Sequence, residues 1–182
     1  VRDNRENVTK QTQAVKRKES PSTILYSIGE SALGGKIAYI FQPGDPGYNS
    51  AVQHGLVVTL TDVSTSAEWG CAGILVAGSD GAPIGKGNSN TLDIVAGCNS
   101  DGIAAKLCKD LEQGGYTDWY LPSKDELNKL RINRKMLGIS DEVYWSSTEL
   151  DNIISWNQNF LTGEQNYKLK YEMYSVRAVR SF

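Results

Sequence analysis

The sequence predicts an α+β domain built on an antiparallel sheet. Two β-rich runs lie early in the chain, two helical patterns sit in the middle, and the stretch from Tyr144 to Phe182 divides into short strands with tight turns.

The elements follow in order. Residues 1–23 are polar and charge-rich and cannot bury enough apolar surface to offset ordering. They are expected to be a linker, or a segment that orders only within a larger assembly, and the folded domain is expected to span residues 24–182. After Gly34-Gly35, the run Lys36-Ile37-Ala38-Tyr39-Ile40-Phe41 reads as a strand, and Pro43-Gly44-Asp45-Pro46-Gly47 as a turn. Gly55 to Leu60 reads as a second strand. Gly70 to Asn90 is rich in glycine and small polar residues and is expected to be irregular, with little helix. A first helix is expected to be capped around Asp101, with Ile103, Ala104, Leu107, Cys108 and Leu111 on one face, and to end at Gly114-Gly115. A second helix begins at Pro122-Ser123, where Ser123 and Glu126 have capping-box spacing and Leu127 and Leu130 point inward. No internal repeat is visible.

Composition narrows the function. With 40% hydrophobic and 22% charged residues, the 182-residue chain can build a core. A net charge of −2 argues against nucleic acid as the main partner. No run approaches a membrane span, and no signal-peptide pattern opens the chain; because it begins at Val1, nothing about a leader follows. Of three cysteines, Cys108 falls on the apolar stripe of the first helix, and Cys71 and Cys98 could pair. Their spacings fit no zinc signature. No metal or cofactor is expected.

The C-terminal stretch is the most informative. Tyr144-Trp145-Ser146-Ser147-Thr148-Glu149, Trp156-Asn157-Gln158-Asn159-Phe160, Gly163-Glu164-Gln165-Asn166 and Val176-Arg177-Ala178-Val179-Arg180 look like fixed anchors. Between them the aromatic, aliphatic and amide residues follow no pattern. A rigid frame carrying irregular side chains is how a recognition surface is built.

Five motifs occur in order: His54-Gly55-Leu56-Val57, Trp69-Gly70-Cys71, Gly115 to Ser123 with Asp125-Glu126-Leu127, Tyr144 to Thr148, and Val176 to Arg180. Together they resemble the Lcl C-terminal-like domain family over roughly Ile28 to Phe182. The resemblance implies a C-type-lectin-like fold, with two helices flanking a small twisted antiparallel sheet and the N- and C-terminal strands paired. It also implies adhesion or ligand binding at cell surfaces. More narrowly, the C-terminal part resembles the variable proteins of diversity-generating retroelements, in which a template repeat is copied with changes at adenines. In that pattern Trp145 to Glu149, Trp156, Phe160, Gly163, Gln165, Lys170, Val176 and Arg177 would be the frame. Asn152, Asn157, Asn159 and Asn166 would be unchanged asparagines. Leu150, Asp151, Ile153, Ile154, Leu161, Thr162, Tyr167, Leu169, Tyr171, Tyr174 and Ser175 are reachable from AAC by adenine changes, whereas Glu172 and Met173 would need another template codon. The ligand-binding set so implied is Leu150, Asp151, Asn152, Ile153, Ile154, Asn157, Leu161, Thr162, Glu164, Asn166, Tyr167, Lys168, Leu169, Tyr171, Glu172, Met173 and Tyr174.

Taken without the resemblance, Tyr167, Leu169, Tyr171 and Met173 alternate with polar residues as one buried face of a strand would. The resemblance makes them a solvent-facing surface, for which tyrosines offer large area at low entropic cost. Trp145, Trp156 and Phe160 are assigned to the scaffold. Arg177 and Arg180 are assigned to structural roles, as ion pairs with Glu126 or Asp118 or stacked on aromatic rings. Sugar-binding C-type lectins hold calcium through hard oxygen ligands; here Trp156-Asn157-Gln158 lacks the acidic one. The lone His54 sits in a scaffold-like motif, and a base near Ser or Cys is what nucleophilic chemistry needs. Formylglycine-generating enzymes share a related fold, but their cysteine pair near the C-terminal end has no counterpart. The expectation is therefore a non-enzymatic, extracellular ligand-binding domain on a cell surface or virus particle. Its partner would be a protein or glycan, not nucleic acid, with no direct membrane insertion, and self-assembly is compatible with the pattern. The alternative is a fixed adhesin of the same fold that binds a polysaccharide or matrix component.

Overall fold

The computed structural model describes residues 24–182, so the segment read as a linker lies outside the described residues. Twelve elements run along the chain: β1 (Ser31–Ala32), β2 (Gly35–Ile40), β3 (Gly55–Val58), β4 (Ser64–Glu68), α1 (Gly87–Gly97), α2 (Ala104–Lys109), α3 (Lys124–Leu137), β5 (Val143–Glu149), β6 (Ile154–Asn159), β7 (Gln165–Leu169), β8 (Met173–Val176) and β9 (Val179–Ser181). The α+β class holds. The strands form two sheets, in the order β1-β2-β3-β9 and β4-β8-β5-β6-β7.

Three details differ from expectation. The C-terminal strand β9 pairs antiparallel with β3, through Val57 opposite Arg180, and not with the first strand. The second sheet is not wholly antiparallel, because β8 enters between β4 and β5 and meets β5 in parallel at Tyr144 and Ser175. Among the described residues there are three helices, not two. α1 occupies the end of the stretch expected to be irregular; its N-cap Lys86 offers no capping side chain, and its buried face includes Asn90 and Thr91, so neither a cap nor an apolar stripe marks it. Asn90 bonds Gly81 O and Ser147 Oγ, and Thr91 bonds Gly87 O and Leu121 O, which satisfies their donors. α2 is a single short helix: Asp101 does not cap it, and it ends at Lys109, before Gly114.

α3 follows its sequence signals closely. The Ser123 side chain accepts from Glu126 N, and the Glu126 carboxylate accepts from Ser123 N at 2.8 Å. Gly138 closes the helix with φ 70°, the left-handed conformation glycine adopts freely. The core lies in two clusters. One gathers Trp69, Ile94, Cys108, Trp119, Trp145 and Val176 around α1 and α2; the other gathers Leu56, Tyr120, Leu127, Leu130, Tyr144 and Phe160 under α3. Cys71 and Cys98 form a disulfide that ties the loop after Trp69 to the C-terminal end of α1. Cys108 is free and buried, and burial pushes its thiol pKa up.

Candidate ligand-recognition surface

Strand β5 is the keystone of the candidate site. It lies between β8 and β6, and every residue from Tyr144 to Glu149 is buried although most are polar. The polar side chains are matched locally: Ser146 Oγ donates to Trp156 O, Thr148 Oγ1 to Gly81 O, and Asn90 Nδ2 to Ser147 Oγ. Trp69 Nε1 donates to Ser146 O, and Trp145 Nε1 to Ala67 O. Glu149 accepts from Val76 N, Ser79 Oγ and the buried Lys170 ammonium. Lys170 also donates to Ile74 O at 2.9 Å and lies 4.6 Å from the Trp69 ring centroid. A buried network of this kind, with Glu149 and Lys170 each bonded to several partners, rigidifies what it joins.

The hairpin β6–β7 lies at the sheet edge and is pinned to α3. Gln158 Nε2 donates to Asn128 Oδ1 at 2.8 Å and Gln165 Nε2 to Lys124 O at 2.9 Å. Its turn uses the Asn159 Oδ1, which accepts from Leu161 N and Thr162 N, and Gly163 at φ 86°. A Cβ on Gly163 would meet only the movable Arg131 guanidinium, at 2.5 Å, so it is the left-handed backbone that favours glycine there.

The candidate residues fall into distinct places. Leu150, Asp151, Asn152 and Ile153 are exposed in the β5–β6 turn, with Ile154 half-buried at the start of β6. Leu161, Thr162 and Glu164 are exposed in the β6–β7 turn, at the other end of the hairpin and about 16 Å away by strand rise. On β7, register puts Tyr167 opposite Trp156 and Leu169 opposite Ile154 on one face, and Asn166 opposite Asn157 and Lys168 opposite Ser155 on the other. Tyr171 and Met173 are exposed, and Glu172 and Tyr174 half-buried, in the turn to β8 and along it. The structure thus brings the β5–β6 and β7–β8 turns together, through Lys170 N to Ile153 O at 2.9 Å, and sets the β6–β7 turn apart.

Asn157 is a correction: only 3% of it is exposed, because it pairs with the core residue Trp145 on β5. Ser175 is buried as well. Trp156, assigned to the scaffold, is half-buried, with Lys124 Nζ 3.6 Å over its ring and Tyr167 edge-on at 5.9 Å. Trp145 and Phe160 are wholly buried. The apolar alternation from Tyr167 to Met173 does not make a buried face: Tyr167 is 50% and Tyr171 56% exposed, while Lys170 in the polar phase is the buried one. The strand ends at Leu169, and the turn after it breaks the period.

The frame arginines are paired. Arg177 meets Asp62 at 2.7 Å, a partner not expected, and Asp62 also accepts from Tyr144 Oη. Arg180 grips Asp118 through two nitrogens at 2.6 and 2.9 Å and stacks on Tyr116, which holds the Asp118 carboxyl below its ordinary pKa. Glu126 instead serves the α3 cap and Gly85 N, and burial pushes its carboxyl up. His54 Nδ1 lies 3.0 Å from Phe182 O, at an apolar cavity of about 500 Å³ that also touches Phe41, Pro46 and Gly47. None of the candidate residues lines that cavity. Among the described residues, no group of three His, Cys, Asp or Glu is placed to share a metal ion, and no helix is long and apolar enough to cross a membrane.

These features define a mixed α+β domain in which a buried, polar-laced strand lies beside an edge hairpin whose outer strand β7 is largely exposed. The chain belongs to the Lcl C-terminal domain family, whose model matches residues 58–180. A comparison with curated proteins finds no match. Among solved structures, a fimbrial protein from Bacteroides ovatus is similar at 19% identity and a TM-score of 0.49, over 70% of this chain and 35% of that one. The chain thus spans about a third of that protein's length. A likeness of that degree carries no weight for function.

Proposed function

We propose that the chain is a ligand-binding, adhesion-type domain whose recognition surface is carried by the turns and edge hairpin between Leu150 and Tyr174. One observation supports this most: the anchors Trp145 to Glu149, Phe160, Lys170, Val176 and Arg177 are buried, with Trp156, Gly163 and Gln165 half-buried, whereas most of the candidate ligand-binding residues between them are exposed. Binding would work by surface complementarity, and a rigid display limits the entropy lost on association. Single sites of modest affinity would gain from repeated copies on a cell or particle surface. The Cys71–Cys98 disulfide agrees with an extracellular, oxidising location. The lectin-like architecture, a non-enzymatic role and a protein or glycan partner belong to the same proposal.

The exposed set is further proposed to be retroelement-diversified. Sequencing the 3′ end of the gene and its flanks in the source population tests this. Changes confined to codons for exposed residues within 150–174, at adenines of a nearby repeat, are the expected result. An invariant 3′ end with no repeat leaves the fixed adhesin of the same fold.

A further inference from the structure

The β5–β6 turn has a neighbour that lies outside the stretch Leu150 to Tyr174. The loop after Cys71 is fastened to it by backbone and buried side chains: Gly73 N donates to Asn152 O at 2.7 Å, Lys170 Nζ to Ile74 O at 2.9 Å, and Val76 N to the Glu149 carboxylate at 3.0 Å. Val76 turns inward. Between these pins Ile74 and Leu75 stand out, 50% and 67% exposed. Leu150, Ile153 and Tyr171, close to half exposed or more, crown the turns that the same pins and the Lys170 N to Ile153 O bond draw together. Exposed apolar side chains gathered on segments pinned to one another point to an interaction site, whereas singly scattered ones do not.

We propose that Ile74 and Leu75 extend the recognition surface, and that the partner docking there is a protein presenting apolar side chains rimmed by lysine or arginine. The proposal rests on the recognition-surface reading given above. Aliphatic side chains offer a saccharide neither a flat ring nor a hydrogen bond, and covering its hydroxyls with leucine and isoleucine would strand them. Apolar side chains of a protein have no such penalty. The charges around the patch are chiefly acidic. Asp151 and Glu172 lie within the two turns, and Glu68 stands opposite Met173 across the β4–β8 pair. The Asp151 carboxylate accepts from Ile153 N and Ile154 N, which keeps it ionised. Lys170 is neutralised by Glu149, and the exposed Lys168 lies back from the turns on β7, opposite Ser155. Complementary charge at the rim sets partner choice and association rate.

The test screens the domain against a random-peptide phage library and a printed glycan array, then measures the selected binders on Ile74→Asp/Leu75→Asp, on the milder Ile74→Ser/Leu75→Ser, and on Tyr171→Ala, each checked for an unchanged melt. The expected result is peptides with an apolar centre and flanking Lys or Arg, weakened by salt. Both loop variants and Tyr171→Ala should lose about tenfold or more in affinity, the scale of an interface anchor. Binding that survives both loop variants but is lost in Tyr171→Ala overturns the inference and leaves the recognition surface standing. Glycan binding alone, or self-association abolished by the loop variants, overturns the partner class. Binding indifferent to all three variants overturns both readings.

Discussion

Lys170 and Glu149 form an ion pair with both side chains buried, and that pair joins three separate segments. Glu149 ends the central strand β5, Lys170 starts the turn to β8, and their remaining bonds hold the loop at Ile74 and Val76. Removing one partner strands the other charge, so Lys170→Met and Glu149→Gln should each cost about 3–5 kcal/mol. The double variant should cost clearly less than the sum, read by urea unfolding of all three proteins. Additive losses would show that the two side chains do not act as a pair.

The tyrosines separate by role. Tyr167→Ala and Tyr171→Ala should leave the melting temperature nearly unchanged, because both rings are about half exposed. Tyr174 differs: its ring stands edge-on to Trp145 at 5.0 Å, and its hydroxyl donates to Glu172 at 2.6 Å, which, after burial, helps raise its pKa to about 12. Tyr174→Ala should lose about 1–3 kcal/mol. Calorimetry of the three single variants checks the order.

The disulfide closes a loop with a sequence separation of 27. Loop-closure entropy of that size corresponds to about 3–4 kcal/mol, so Cys71→Ser/Cys98→Ser should melt well below the parent. Cys108 should stay unlabelled by iodoacetamide until the protein unfolds, since it is buried and its thiol pKa is raised. Mass spectrometry of native and denatured samples reads this directly.

Arg180 gives Asp118 a depressed pKa, so this pair contributes stability above the unfolded carboxyl pKa near 4 and loses it as pH falls through the folded value. The Asp118 side chain is more than half exposed, and solvent screening limits the effect to about 1 kcal/mol or less. Glu126 acts in the opposite sense, because burial raises its pKa. The difference between Asp118→Asn and the parent in a stability–pH series should therefore be present at neutral pH and vanish in acid.

Much of the fold was legible where local chemistry decides it. The Ser123–Glu126 box named the start of α3, and the glycine and proline turns bounded β2 and β3. α1 was not legible, because tertiary partners of Asn90 and Thr91 replace the apolar stripe. Within the anchor segments, Trp145 to Glu149, Phe160, Val176 and Arg177 are buried, whereas Glu164 and Asn166 are exposed; Lys170, buried against Glu149, shows that polar identity does not reveal burial when a partner waits elsewhere in the chain. Ile74 and Leu75 gave no signal beyond two aliphatics in a glycine-rich loop; the bonds from Gly73 to Asn152, Lys170 to Ile74 and Val76 to Glu149 are what fasten that loop to the β5–β6 turn.

The most direct measurement is a display library in which Leu150, Ile153, Leu161, Thr162, Asn166, Tyr167, Lys168 and Tyr171 are randomised together, sorted for protease-resistant folding. Most clones should fold with melts close to the parent, whereas a matched library at Trp145, Ser146, Ser147, Thr148, Phe160 and Lys170 should yield almost none. Equal loss of folding in the two libraries would contradict the division between a buried frame and a displayed surface.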